Sequence, residues 1–321
     1  MSYNRTIVIE GDPEGVFLEL FFKTLKSKSF KNYLILICSK NNLQKQMNKA
    51  KFKKKINLLD IKKTNEILLK KKEINLIDVK LKKTKNKKLN NKNIKAYIEK
   101  CFEISFKLIK EGFANKLING PVDKKIFLKN KFLGVTEYVS NKFNKKKTGM
   151  LIYNKQLSVC PVTTHLPLRN VSRSINRNII HDKINLVNNF YLKYLKLKPR
   201  IAVTGLNPHC ESILKFNEDE KIIKPAIKTM KKRNINVKAP FPADTIFSSK
   251  NRKLFDVVIG MYHDQVLAPI KALYEFDAIN ITMGLPFLRA TPDHGPNKQM
   301  AGKNISNPTS LIRALEFLDK Q

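Results

Sequence analysis

Acidic residues are scarce in this chain. Its 321 residues hold 26 Asp and Glu against 63 Lys and Arg, a formal net charge of +37. Phosphate neutralisation by Lys and Arg is one use of such an excess. The excess is mostly lysine, however, spread among asparagine and isoleucine as an AT-rich coding sequence would produce. Zinc-finger spacing, a basic leucine zipper and an aromatic–basic RNA-binding signature are all missing, so nucleic acid is not the expected partner. Cysteine is sparse too: Cys38, Cys101, Cys160 and Cys210 are scattered without a CxxC pair, which excludes a disulfide framework or a thiolate zinc site. No apolar run reaches membrane-spanning length, and "MSYNRTIVIEGDPEG" lacks the basic start and long apolar middle of a signal peptide. The expectation is a cytoplasmic protein without a membrane partner, and no internal repeat is evident.

What is present is an alternation of strands and helices. "RTIVIEGDPEG" reads as a strand into a turn, "VFLELFFKTLKS" as a buried helix and "NYLILICS" as a second strand. Residues 45–98 are rich in lysine and asparagine. "INLLDI" and "INLIDV" in that zone are burial-competent, so it reads as short strands and connections. "IKAYIEKCFEISFKLIKEG" has apolar residues at three- and four-residue spacing and reads as an amphipathic helix. Beyond it, "NKLING", "TGMLIYN", "LSVCPVTTH", "RIAVTGLNPH", "NVKAPFPADT", "DVVIGMYHDQ" and "DAINITMGLPF" read as strands or extended pieces. "LRNVSRSI", "HDKINLVNNFYLKYLK", "EKIIKPAIKTMKKR" and "NPTSLIRALEFLDKQ" read as helices. This pattern predicts an α/β protein with a largely parallel sheet, and the length suits two lobes.

Three of the five histidines close apolar strands: His165 ends "LSVCPVTTH", His209 ends "RIAVTGLNPH" and His263 ends "DVVIGMYH". Their spacings of 44 and 54 residues leave room for a helical return. In a doubly wound sheet the carboxyl ends of the strands share one rim, where ligands bind. Three imidazoles on one rim form a candidate metal site suited to zinc, cobalt or nickel, with an open position for catalysis. Asp244 and Asp264 come to the same rim as outer partners, further ligands or catalytic carboxylates. His181, inside a helix, reads as a structural histidine, and Cys210 as a buried, unreactive thiol. Candidate anion handles follow strands beside Gly or Pro turns: Lys124 after "NGPVDK", Lys271 after an "HDQVLAPIK" turn, and Arg289 just past a strand end.

In order, "GDPEG", "NGPVDKK", "TEY", "TTHLPLR", "GLNPH", "PADTIF", "MYHDQ" and "NITMGLPFLRATPDHG" resemble the 4-hydroxythreonine-4-phosphate dehydrogenase family of pyridoxal phosphate (vitamin B6) biosynthesis. The likeness spans nearly the whole chain and is weakest over residues 40–98. "HGPNKQMAGKNISNP" is similar to the adenosine-side loop of the isocitrate and isopropylmalate dehydrogenases, and points to His294, Gly295 and Asn304 as cofactor-binding residues. The resemblance implies a two-lobed α/β/α dehydrogenase of that superfamily, with its active site in the interdomain cleft. Residues 1–134 with 290–321 would form the cofactor lobe, and 135–289 the metal, substrate and dimer lobe. It further implies a homodimer and one divalent ion (zinc, magnesium or cobalt) held by His165, His209 and His263 and shared between subunits. Substrate contacts would fall at Thr136, Lys271, Asn280 and Arg289, with Lys271 also catalytic. The implied reaction is NAD- or NADP-dependent oxidation and decarboxylation of 4-phosphooxy-L-threonine.

Four departures from the family pattern stand out. Val135 occupies the place of a substrate-binding histidine, and the opening motif has lost a Gly-Pro. "NPHCES" replaces a glycine-bearing segment, and Gln299 sits where the superfamily loop often has aspartate. The three candidate ligand positions remain histidine. A second enzyme reading is therefore a paralogue acting on 4-phosphothreonate or 4-phosphoerythronate. A basic nucleic-acid-binding protein on an enzyme scaffold is the reading from another class.

Overall fold

The computed structural model describes residues 4–61, 67–84, 89–129, 131–211, 216–292 and 295–321. Among the described residues twelve strands follow in chain order: β1 (Arg5–Ile9), β2 (Tyr33–Cys38), β3 (Ile56–Leu58), β4 (Ile74–Asp78), β5 (Lys116–Asn119), β6 (Gly149–Tyr153), β7 (Ser158–Thr163), β8 (Ile201–Thr204), β9 (Val237–Phe241), β10 (Val257–Tyr262), β11 (Ile279–Met283) and β12 (Leu288–Pro292). The chain divides into two compact units, 1–138 with 287–321, and 139–286. No helix among the described residues is long and apolar enough to cross a membrane.

In unit 1 the strand order is β3-β4-β2-β1-β5-β12, and each pairing is parallel. Fully parallel strands are covered on both faces, so their sequences are continuously apolar. Ile7, Val8, Ile9, Ile35, Leu36 and Ile37 are all buried. The helices Phe17–Ser27, Asn91–Lys110 and Thr309–Asp319 supply the cover. The helix Lys40–Lys49 is not among the expected elements, and its second half enters the 45–98 stretch read as short strands and connections. It buries just Leu43 and Met47, one turn apart, too faint an apolar stripe to read among its polar neighbours.

Unit 2 has the order β11-β6-β7-β10-β8-β9. The β11–β6 and β6–β7 pairs are antiparallel, and β7–β10, β10–β8 and β8–β9 are parallel. One core cluster joins Ile152, Val159, Ala202 and Val258 from these strands to Val266, Leu267 and Ile270 from the helix His263–Tyr274. That helix corrects the reading of "HDQVLAPIK" as a turn. Pro269 does break one internal hydrogen bond, but three buried aliphatic residues around it hold the helical path.

Arg289 is also corrected: it sits inside β12, paired with Leu117 of β5, not past a strand end. The divisions fall at 138/139 and 286/287, which places Thr136, Glu137 and Arg289 in unit 1. Aromatic packing accounts for the first of these. Tyr138 meets Phe127 edge-on at 5.0 Å and Phe132 at 5.6 Å, so the start of the helix Val135–Lys142 is fastened to unit 1.

Candidate active site

Unit 2 presents one rim built by four adjacent parallel strands. At their carboxyl ends, in sheet order, stand His165 after β7, His263 after β10, His209 after β8 and Asp244 after β9. The His165 and His263 rings lie 5.9 Å apart, centre to centre. Two imidazoles on one ion, each with a nitrogen about 2 Å from it, place their ring centres at most roughly 6–7 Å apart. The pair therefore fits a shared ion. His263 Nδ1 is 2.6 Å from Asp264 Oδ1, an arrangement that leaves Nε2 as the ligating nitrogen. Asp264 also lies in the first turn of its helix, where a carboxylate complements the dipole. Among the described residues, no group of three or more His, Cys, Asp or Glu converges within this one chain to hold an ion.

The backbone around these histidines is unusual. His165 has φ +50°, and His209 and Cys210 have φ +56° and +63°. Left-handed non-glycine residues persist only where their surroundings hold them, and they concentrate at functional sites. Thr163 Oγ1 donates to Met261 O at 2.8 Å, tying the ends of β7 and β10 together. Gln265 Nε2 donates to Gly205 O at 2.8 Å, and its Oε1 accepts from Thr204 Oγ1 at 2.8 Å and Met261 N at 2.7 Å. The helix that starts at His263 is thereby stitched to the loop that carries His209.

Lys271 lies eight residues beyond His263 on that helix, about 12 Å along its axis. Burial lowers its ammonium from the usual lysine range. Asn280, on β11, donates from Nδ2 to Met150 Sδ at 3.3 Å. Asp244 and Asp264 are exposed. Cys210 is buried and burial raises its thiol, in keeping with an unreactive role. His181 Nε2 lies 3.2 Å from Ala226 O, a structural contact.

Unit 1 holds a second polar cluster. Arg289 is 3% exposed, and donates from Nε to Asn119 Oδ1 at 2.9 Å and from Nη1 to Thr136 Oγ1 at 3.3 Å. Burial lowers its guanidinium to about 10, with the nearby Glu137 carboxylate opposing the shift, so it stays charged at neutral pH. Lys124 is exposed at the start of a short helix capped by Asp123. The motif loops of this unit pack backbone to backbone: Asp12 N donates to Pro121 O at 2.9 Å, and a side chain on Gly120 would come within 2.1 Å of Glu10 O.

His294 lies outside the described residues, and Gly295 is exposed. The remainder of that loop is anchored. Glu19 accepts from Gly302 N at 2.9 Å, Asn304 N at 3.2 Å, Ser306 N at 3.2 Å and Ser306 Oγ at 2.5 Å. Burial alone would raise this carboxyl, but those donors outweigh it and hold Glu19 below the usual range. Lys298 Nζ lies 3.2 Å from both Asp12 and Glu14, joining the loop to "GDPEG".

Residues 30–318 match the profile of a family described as pyridoxal phosphate biosynthetic protein PdxA. The chain belongs to this family. It is 36% identical over 316 residues to 4-hydroxythreonine-4-phosphate dehydrogenase of Sulfurihydrogenibium sp. (strain YO3AOP1), covering 96% of this chain and 95% of that protein. The crystal structure of 4-hydroxythreonine-4-phosphate dehydrogenase from Klebsiella pneumoniae superposes with a TM-score of 0.85 at 26% identity, over 100% of this chain and 99% of that one. The corresponding structure from Burkholderia phymatum gives 0.79 at 26% identity, over 98% and 97%. The α/β dehydrogenase fold expected from the motifs is the fold of these PdxA relatives.

Several supporting residues carry no signal of their role in the sequence. Asn119 lies within "NGPVDKK", where the Lys and the turn draw the eye. Glu19 is one acid within an apolar helix, and Asp219 lies in the polar run "FNEDEK". Nothing in the residue pattern around either acid separates it from ordinary surface charge.

Proposed function

We propose that the protein is a 4-hydroxythreonine-4-phosphate dehydrogenase of vitamin B6 biosynthesis. It oxidises the C3 hydroxyl of 4-phosphooxy-L-threonine with NAD or NADP, and the resulting β-keto acid loses carbon dioxide to give 3-amino-2-oxopropyl phosphate. The observation that carries this reading is the delivery of His165, His263 and His209 to one rim by adjacent parallel strands, in a chain of the PdxA family. The His165–His263 pair with the third imidazole suits a divalent ion that takes nitrogen ligands, such as zinc or cobalt. When bound, that ion supplies Lewis acidity at the substrate hydroxyl. When bound, nicotinamide accepts the hydride.

The chain's own groups bind, orient and move protons. Asp264 fixes the His263 tautomer through Nδ1. Lys271, its ammonium lowered by burial, is suited to proton transfer and to the anionic end of the substrate. Asn280 adds a polar contact. Arg289 donates to the Thr136 hydroxyl, and both would contact the substrate, with Asp244 as an outer carboxylate. In unit 1 the Gly295–Ser306 loop, organised by Glu19, would hold the adenosine side of the cofactor, with Asn304 fixed by Glu19 near its end. The functional form is a homodimer in which each ion is shared, with the paired His165 and His263 of one subunit joined by His209 of its neighbour.

Val135, where the family pattern has histidine, favours a second reading in which the substrate is 4-phosphothreonate or 4-phosphoerythronate. Purified protein assayed for reduced nicotinamide with each of the three phosphorylated acids separates the two. Preference for 4-phosphooxy-L-threonine supports the main reading; oxidation of only the others replaces it.

A further inference from the structure

The loop between β8 and His209 is held from below by one buried carboxylate. Asp219 is 0% exposed. Its Oδ1 accepts from Leu206 N at 2.8 Å, and its Oδ2 accepts from Asn207 N at 3.1 Å and Asn207 Nδ2 at 2.9 Å. The carboxylate is itself fixed, because Asp219 N donates to Asn217 Oδ1 at 2.8 Å. Asn207 Nδ2 has a further acceptor in Glu218 Oε2 at 3.1 Å. Both residues immediately before Pro208 are therefore tied to a single side chain ten residues beyond His209.

This carboxylate packs directly against Gly205. A side chain on Gly205 would come within 2.6 Å of Asp219 Oδ1 and 2.8 Å of Cys210 Sγ. Two consecutive non-glycine residues, His209 and Cys210, are left-handed just past this anchor. Each such residue is strained, so the loop would relax unless something over-determined its path. The three bonds to Asp219 supply that constraint on one side, and the Gln265–Gly205 bond supplies it on the other. A freely placed surface histidine needs no such frame. One that must meet ligands on another element does, because a metal site tolerates little displacement of its donors.

We infer that Asp219 is the positioning residue for His209: it holds the Leu206–Asn207 backbone so that the His209 imidazole is presented as a metal ligand. The inference rests on the proposed metal-dependent activity, and it adds a role outside the histidine set. Asp219 is fully buried beneath the loop. It acts only through the loop, so its loss changes ion affinity rather than the chemistry of the loaded enzyme.

The experiment compares wild type, Asp219→Asn and Gly205→Ala, each as the full chain. Zinc and cobalt affinities are measured by competition with a chromophoric chelator, and kcat is measured at limiting and at saturating metal. Asp219→Asn keeps the size of the side chain but turns an N–H donor toward donors. Gly205→Ala crowds the same carboxylate together with Cys210. Both variants should bind metal about 10–100-fold more weakly, as outer-shell substitutions do, with kcat restored toward wild type by excess metal. A far-ultraviolet spectrum and cooperative melting like those of wild type identify variants that are folded; Asp219→Asn decides the matter, and if it does not fold, Asp219→Glu takes its place with the same expected loss of metal affinity. Metal affinity within twofold of wild type, or a kcat deficit that excess metal does not repair, would overturn the inference. Failure of the wild type itself to bind either ion would instead overturn the metal-dependent reading on which it rests.

Discussion

The His165 and His263 rings face each other across 5.9 Å at the ends of β7 and β10, two strands in parallel register from Val257↔Ser158 to Tyr262↔Thr163. His263 follows β10 directly and His165 stands two residues past β7 in a left-handed conformation, so the register brings their backbones together. Because His263 is only half-buried, it contributes little to core packing. His263→Ala should therefore lower kcat by more than ~100-fold, while the melting temperature stays within a few degrees of wild type. Steady-state kinetics beside a thermal melt checks this, and near-normal turnover would remove His263 from the ligand set.

Glu10 carries a pH dependence. Burial raises its carboxyl from 4.5 to about 7, against hydrogen bonds from Tyr97 and Asn42, and Asp12 adds to the rise. An unfolded Glu10 releases its proton near 4.5, whereas the folded protein keeps it until about 7. Across that window the folded state binds more protons, so stability falls as pH rises. The loss approaches about 3 kcal/mol by pH 8, since each pH unit between the two values contributes about 1.4 kcal/mol. Urea unfolding from pH 4.5 to 8 should show this slope, and Glu10→Gln should flatten it.

Glu19 is expected to govern cofactor affinity without touching the reaction. Its carboxylate gathers Gly302, Asn304 and Ser306. Glu19→Gln turns an N–H toward donors in that loop and should lower stability by about 1–3 kcal/mol. The KM for NAD or NADP should rise roughly tenfold, with kcat less affected, the pattern of lost ground-state binding. Unchanged cofactor KM would detach the loop from the cofactor.

Val135 begins the helix whose next residue, Thr136, accepts from the buried Arg289. Valine there offers a substrate no hydrogen bond. Val135→His should lower the KM for 4-phosphooxy-L-threonine several-fold, in line with about 0.5–1.5 kcal/mol for one regained neutral contact. If the variant gains nothing while wild type prefers a phosphorylated threonate or erythronate, the paralogue reading prevails.

The parts of the site legible in the sequence are those that follow a buried parallel strand. β7, β8 and β10 are continuously apolar, so the polar residues that end them stand out. Arg289 is legible as a residue but not by position, because the Gly-Leu-Pro before it reads as a turn and hides the five-residue strand β12. The helix at His263 is hidden by Pro269. Asp219 and Glu19 are not legible as partners at all. Each acts on backbone N–H groups distant in sequence, and such bonds leave no periodic trace in the side chains.

The most direct test of the central claim mixes two inactive variants. With His165 and His263 from one subunit and His209 from the other, an exchanged dimer of His263→Ala with His209→Ala has one intact site. Random exchange should then restore about a quarter of wild-type metal-dependent activity, as two-fold symmetry requires. Mixing His263→Ala with His165→Ala should restore none, because neither site is then complete. If the His263→Ala and His209→Ala mixture stays inactive although subunits demonstrably exchange, the shared three-histidine site is contradicted.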